Sequence, residues 1–307
     1  MKKYYPEGAL ISTPENRSAM RSQLTLTEAM AKGQILEAYA TLCDSSHDLI
    51  VDLHCMKGII PRVEGAEGIE SGVTKDIALI TKVGKPVCFR VTGFVTDGNG
   101  NTSAMLSRRA VQEECIAEYI SGLSAGDIIP AKVTHLEQFG AFVDIGCGVP
   151  SLIPIDAISV SRISHPSDRF RVGQEIKVIV KSVENGRVWL THKELLGTWE
   201  ENADMFAAGQ TVSGIVRSVE SYGVFIELAP NLAGLAEPRD NLYPGQNATV
   251  YIKALIPEKM KVKLIVVDLP DYPSELKPLQ YFINSDHIDR WIYSSPKSNR
   301  LIQSFFE

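Results

Sequence analysis

Cysteine is scarce and scattered: Cys43, Cys55, Cys88, Cys115 and Cys147 are odd in number and form no CxxC pair. That excludes a disulfide framework and a four-cysteine zinc site, and fits reduced thiols in a cytoplasmic protein. Long apolar runs are missing too, so no helix is expected to span a membrane. No apolar run follows the two lysines of MKKYYPEGALIS, so a secretory leader is not expected. The six histidines (His47, His54, His135, His165, His192, His287) have no ligand spacing and are expected at the surface or as caps. GxSxG, HExxH, a phosphate-binding loop and paired acids are all absent. The expectation is therefore a protein with no catalytic group, no metal, no cofactor and no small-molecule substrate. Nor is there an excess of positive charge: the net charge is −6, which argues against tight binding to duplex DNA. The run DGNGN (97–101) reads as a hairpin turn, because a calcium loop would need an acid where Arg108 stands.

What the chain does have is a repeat. Residues 125–145 read AGDIIPAKVTHLEQFGAFVDI and residues 208–228 read AGQTVSGIVRSVESYGVFIEL, aligned without a gap. A unit repeated at this size marks a modular protein. The strand period of two turns Ala141, Val143 and Ile145 to one face, and Phe142 and Asp144 to the other. In the second copy Val224, Ile226 and Leu228 point inward while Phe225 and Glu227 point outward. A phenyl ring is thus set twice on the polar face of a sheet. Each has a second aromatic three residues earlier, Phe139 and Tyr222.

The chain is too long for one ordinary core, and its pattern predicts seven segments. They are an N-terminal arm and short helix (1–32), a strand-rich module (33–106), a connector helix (107–124), the clearest module (125–191), a second connector helix (192–208), an abbreviated module (209–267) and an aromatic-rich tail (268–307). Thr25 and Glu28 have capping-box spacing and Gly33 ends the short helix. In the clearest module the strand candidates are 128–136, 139–146, 151–154, 174–182 and 186–191, with a turn-and-helix insertion at 156–170. Five short strands with one helix before the fourth suggest a small closed barrel of the oligonucleotide-binding type. The tail opens with Pro270, Pro273 and Pro278 and is expected as a packing strap or a loose arm.

The stretch GDIIPAKVTHLEQFGAFVDIG, the block ISHPSDRFRVGQEIKV and the run NGRVWLTHKE resemble the S1 RNA-binding domain. Together with the connector LSRRAVQEE they make the chain similar to the S1-like family of bacterial small-subunit ribosomal proteins. The resemblance covers about 33–267; it is strong in the middle module, good in the third and weak in the first. It implies an all-β fold with connecting helices, three tandem five-stranded OB-type barrels (S1 domains). It also implies binding of single-stranded RNA, mRNA in translation, with the small ribosomal subunit as partner.

Carried over residue by residue, Phe139 and Phe142 match the family's aromatics and Arg187 its arginine, while Pro154 stands where the family has a histidine. Glu184 lies near the acidic position, one residue off in spacing. In the third module Tyr222 and Phe225 match the aromatics, Glu237 takes the histidine place and Lys261 the arginine place. In the first module His47 and Ile50 fall where the aromatics belong and Pro61 where the histidine belongs, so that copy has lost its stacking platform. Trp189 shares a face with Arg187, and Lys132, Thr134 and Lys181 border the same groove. Every base has a π-face, so rings on a sheet hold unpaired strands with little sequence preference. The rival reading from the acidic balance and the first module is a protein–protein adaptor on ribosome, polymerase or RNA-decay machinery.

Overall fold

A computed structural model describes residues 4–184, 186–271 and 278–306. Pro273 of the tail and Asn185 of NGRVW lie outside the described residues. Strand-forming alternation closes into three five-stranded barrels. Barrel 1 is built from β1 (Leu36–Cys43), β2 (Leu49–Asp52), β3 (Lys57–Ile60), β4 (Pro86–Thr96) and β5 (Thr102–Ser107). Barrel 2 uses β6 (Ile128–Glu137), β7 (Gly140–Asp144), β8 (Pro150–Pro154), β9 (Glu175–Glu184) and β10 (Arg187–Thr191). Barrel 3 uses β11 (Thr211–Glu220), β12 (Gly223–Ala229), β13 (Leu232–Ala236), β14 (Asn247–Ile256) and β15 (Lys261–Asp268). The cyclic order is the same in each, with the third strand parallel to the fifth: Ile59 faces Met105, Leu152 faces Trp189 and Leu235 faces Lys263. This is the all-β, three-barrel architecture that the family resemblance implies.

Period-two patterning explains each interior. Ala141 and Val143 of β7 are buried, as are Val133, Ile153, Val178 and Leu190 of the same barrel. Val224, Ile226 and Leu228 do the same in barrel 3 with Val216, Val250 and Leu264. By packing, the chain divides into two compact units: residues up to Gly122 together with Asp144–Pro150, and Leu123–Val143 together with the chain from Ser151 onward.

In the first unit, residues expected as a free arm are tied down. Helix α1 (Pro14–Ala19) is capped by Thr13, and buried Asn16 exchanges two hydrogen bonds with the Glu37 backbone. The backbone N–H groups of Gly8 and Leu10 donate to the Glu37 carboxylate at 3.0 and 2.8 Å. Glu7 accepts from Arg108 Nε at 2.6 Å and Lys82 Nζ at 2.7 Å. The next helix, α2 (Gln23–Ala31), starts one turn earlier than the Thr25–Glu28 spacing suggests, with its capping box on Ser22 and Thr25. DGNGN forms the expected turn, Asp97 collecting the N–H groups of Asn99 and Asn101.

The 107–124 connector contains helix α3 (Arg109–Glu118) and a following 3-10 turn, Ile120–Gly122. The 192–208 connector is not one helix. It is a 3-10 turn, Lys193–Leu196, and helix α4 (Trp199–Ala203), broken at Gly197. Gly197 has φ +84°, and a Cβ there would meet the Phe282 ring at 2.7 Å. Asn202 holds the break by donating to the Leu196 and Thr198 carbonyls. His192 stands at the N-cap of the Lys193–Leu196 turn, one of the two expected places, but is fully buried: its pKa is pushed down to about 4 by burial, and its ring packs edge-on to Phe170.

The described part of the tail is a strap on the second unit. Strands β16 (Arg290–Ile292) and β17 (Gln303–Phe305) pair, and Trp291 and Tyr293 join the barrel 3 core. Among the described residues no helix is long and apolar enough to cross a membrane.

Candidate nucleic-acid interface

The outer face of barrel 2 is set by the β6–β7 turn. Phe139 stands at its tip, 56% exposed, and Phe142 follows on the outward side of β7, half-buried. The rings meet edge-to-face at 5.9 Å. Gly140 between them is required, because a Cβ there would lie 2.4 Å from the Ile153 carbonyl oxygen. The turn is pinned by Ile155 N–H donating to the Phe139 carbonyl at 2.9 Å. Thr134 Oγ1 donates to the Phe142 carbonyl, and the His135 ring lies 6.4 Å from Phe142.

Barrel 3 repeats this arrangement. Tyr222 is 66% exposed, Phe225 is half-buried, and the rings meet edge-to-face at 6.2 Å. Gly223 again allows close approach, its missing Cβ being 2.7 Å from the Ala236 oxygen. Both rings therefore stay accessible at the turn end of the second strand, in an offset that favours aromatic pairs.

The polar candidates divide by register. Arg187 and Trp189 are both exposed on β10, while Val188 and Leu190 turn inward. Trp189 sits opposite Leu152 of β8, and Arg187 lies one pleat along, opposite Glu184. Lys181 is exposed at the bulge facing the Trp189–Leu190 step. Lys132 is one pleat before Thr134 on β6 and pairs in register with Glu175, so it borders the row of rings rather than joining it. In barrel 3, Leu235 faces Phe225 on one side and Lys263 on the other. Lys263 thus stands in the Phe225 row. The motif-matched Lys261 is exposed one pleat away, opposite Ile256. Strand alternation in KVKL could have found Lys263, since the two lysines share a face; matching the motif selected one of them. His135 was missed because spacing tests for metal ligands do not detect a ring beside a ring. Glu237 is exposed just past β13.

Two outward residues are not solvated. Asp144 is 3% exposed, and it accepts from the backbone N–H groups of Glu7, Gly146 and Gly148. Burial raises its pKa to about 6. Glu227 is 5% exposed and clasped by two guanidiniums, Arg169 and Arg217 Nε, the second also bonded to Asp168 at 3.3 Å. Burial lowers the Arg169 pKa despite that carboxylate. Alternation correctly gave the barrel's outside, but another layer of protein covers it at these two positions. The accessible platform is confined to the turn end.

Barrel 1 has the same register without rings. Leu42 faces Ile50, Ile50 faces Ile59 and Ile59 faces Met105. His47 sits in the β1–β2 turn at φ +64°.

The S1 RNA binding domain family matches residues 123–193, so barrel 2 is an RNA-binding domain of that family. The small ribosomal subunit protein bS1 of Staphylococcus haemolyticus is 30% identical over 304 residues, covering 92% of this chain and 74% of that protein. Its counterpart in Staphylococcus aureus (strain COL) is 30% identical over 277 residues, 84% of this chain and 68% of its own. Among solved structures, a multidomain protein with nucleic acid binding domains from Streptococcus pneumoniae covers 80% of this chain and 76% of its own at 13% identity and TM-score 0.26. Identity at this level along nearly the whole chain, together with three barrels of one topology, makes the protein a member of the small ribosomal subunit protein bS1 family.

Proposed function

We propose that this protein binds single-stranded RNA, taking mRNA in translation on the small ribosomal subunit, as a cytoplasmic protein without catalysis or cofactor. The observation that carries the reading is the pair of accessible rings repeated at the same turn of two barrels, Phe139/Phe142 and Tyr222/Phe225. Bases stack on these rings while Arg187, Lys181, Lys261 and Lys263 contact phosphates; Trp189 extends the platform, and Lys132 borders it. Phosphate contacts position the strand and stacking holds it with little base preference. The relatives' name, small ribosomal subunit protein, supports the choice of partner. The functional partition is three modules at 33–106, 125–191 and 209–267, joined by connectors, of which the second and third hold RNA.

The test is fluorescence anisotropy with an unpaired RNA oligomer. Phe139→Ala together with Phe142→Ala is expected to weaken binding by roughly 1–3 kcal/mol for each base unstacked. Unchanged affinity removes the stacking reading. A second reading applies to barrel 1 alone: its aliphatic row Leu42–Ile50–Ile59–Met105 favours protein contact over RNA. Binding through that row should lack the salt slope of about −0.7 per phosphate that marks single-strand binding.

A further inference from the structure

His135 is exposed on β6, beside the ring on which a base would stack, and its Nε2 lies 2.6 Å from Glu137 Oε1. An ionised carboxylate can only accept, so Nε2 carries the hydrogen in this contact. In the neutral imidazole the other nitrogen, Nδ1, is then an acceptor. Among the described residues no hydrogen bond occupies Nδ1. Glu137 is the last residue of β6, two positions on from His135, and it holds the ring at Nε2. The ungapped repeat aligns His135 with Ser218, which faces Phe225 in barrel 3, and Leu42 faces Ile50 in barrel 1, so of these three residues His135 alone carries a ring acceptor.

From this we infer that His135 is a specificity residue of barrel 2. Its Nδ1 accepts a hydrogen bond from a donor on the nucleotide stacked at Phe142, and Glu137 positions it by fixing the tautomer. The inference rests on the stacking reading given above. A nucleotide offers that donor from two places, the ribose 2′-hydroxyl and an exocyclic amino group of the base. The 2′-hydroxyl is what separates RNA from DNA at a single site.

The experiment uses the full chain and four labelled octamers, of uridine, deoxyuridine, cytidine and deoxycytidine, in anisotropy titrations above pH 7.5. His135→Ala and His135→Phe are compared with the unaltered protein, folding being checked by circular dichroism. Loss of one hydrogen bond predicts a selective drop of about three- to tenfold. A drop confined to the two ribose octamers assigns the 2′-hydroxyl; a drop confined to the two cytosine octamers assigns the amino group. Both outcomes support the inference. His135→Phe keeps a ring but no acceptor, so it should show the same selective drop as His135→Ala. Uniform loss over all four octamers, no loss, or full recovery with phenylalanine overturns it. Phe139→Ala with Phe142→Ala separates the two levels. If that double variant binds all four octamers normally, the stacking reading fails; if it loses binding while His135 variants show no selectivity, only the present inference fails.

Discussion

Barrels 1 and 3 share a strand order and a cross-strand register yet present opposite chemistry to solvent. In barrel 3 the outward row reads Ser218, Phe225, Leu235, Lys263; in barrel 1 the same row reads Leu42, Ile50, Ile59, Met105. The inward residues are of one kind in both, Val216, Val224 and Ile226 against Ala40, Leu49 and Val51. A barrel is thus maintained by its inward positions, and its outward row can lose ring and cation without loss of topology. The second difference lies two residues past the platform. Asp52 of barrel 1 is solvated, whereas Glu227 of barrel 3 is enclosed by Arg169 and Arg217.

The largest effect should come from that second difference. Glu227→Ala leaves buried Arg169 without its carboxylate and Arg217 with Asp168 alone, and is expected to cost about 3–5 kcal/mol of stability. Asp52→Ala, at a solvated position, is expected to stay within about 0.5 kcal/mol. Urea unfolding of both variants checks the contrast, and equal costs would break it. Next comes binding: Tyr222→Ala with Phe225→Ala should lose roughly 1–3 kcal/mol of RNA affinity per base, while Ile50→Ala changes nothing. Comparable losses on titration would mean that rings do not distinguish the barrels.

A pH contrast is expected between the two units. Burial raises Glu37 in the first unit from 4.5 to about 7, so its contribution to stability is full below pH 4.5 and lost as pH rises through 7. His192 in the second unit is lowered from 6.5 to about 4, so its contribution is present above pH 6.5 and lost as pH falls through 4. His287, raised by its hydrogen bond to Asp127, opposes His192 weakly because it is exposed. Between pH 5 and 6.5 the first unit should therefore weaken and the second strengthen as pH rises. Glu37→Gln should reduce the first trend in urea unfolding at pH 5 and 7, leaving the part due to Asp144, which burial raises to about 6; an unaltered trend places its origin elsewhere. The smallest effect is Lys263→Met, which gives barrel 3 the barrel 1 residue. The log–log salt slope of RNA binding should fall by about 0.7 if one phosphate contact is lost. An unchanged slope would remove Lys263 from the phosphate contacts and leave Lys261 alone in that role.

Much of this was legible in the chain. Alternation in AFVDI and VFIEL assigned the inner and outer sides of β7 and β12, because a strand's period is a property of its own backbone. DGNGN and the ring pairs are equally local. The layers outside the barrels were not legible. Nothing near Glu227 in sequence announces Arg169, 58 residues away. Nothing in MKKYYPEGAL announces that Glu7 meets Arg108, at a separation of 101 residues. Lys263 was hidden differently: its face was readable, but its place in the Phe225 row depends on the parallel pairing of β13 with β15.

Taken alone, the amino-acid order determined the repeated unit, the turn residues and which side of each strand is apolar. These depend on period and on steric rules acting within a few residues. Tertiary structure decided which outward groups remain wet, which cation stands beside which ring, and which carboxylates are enclosed by arginine. Those outcomes depend on strand register and on segments far apart in the chain meeting in space, where burial changes the cost of a charge.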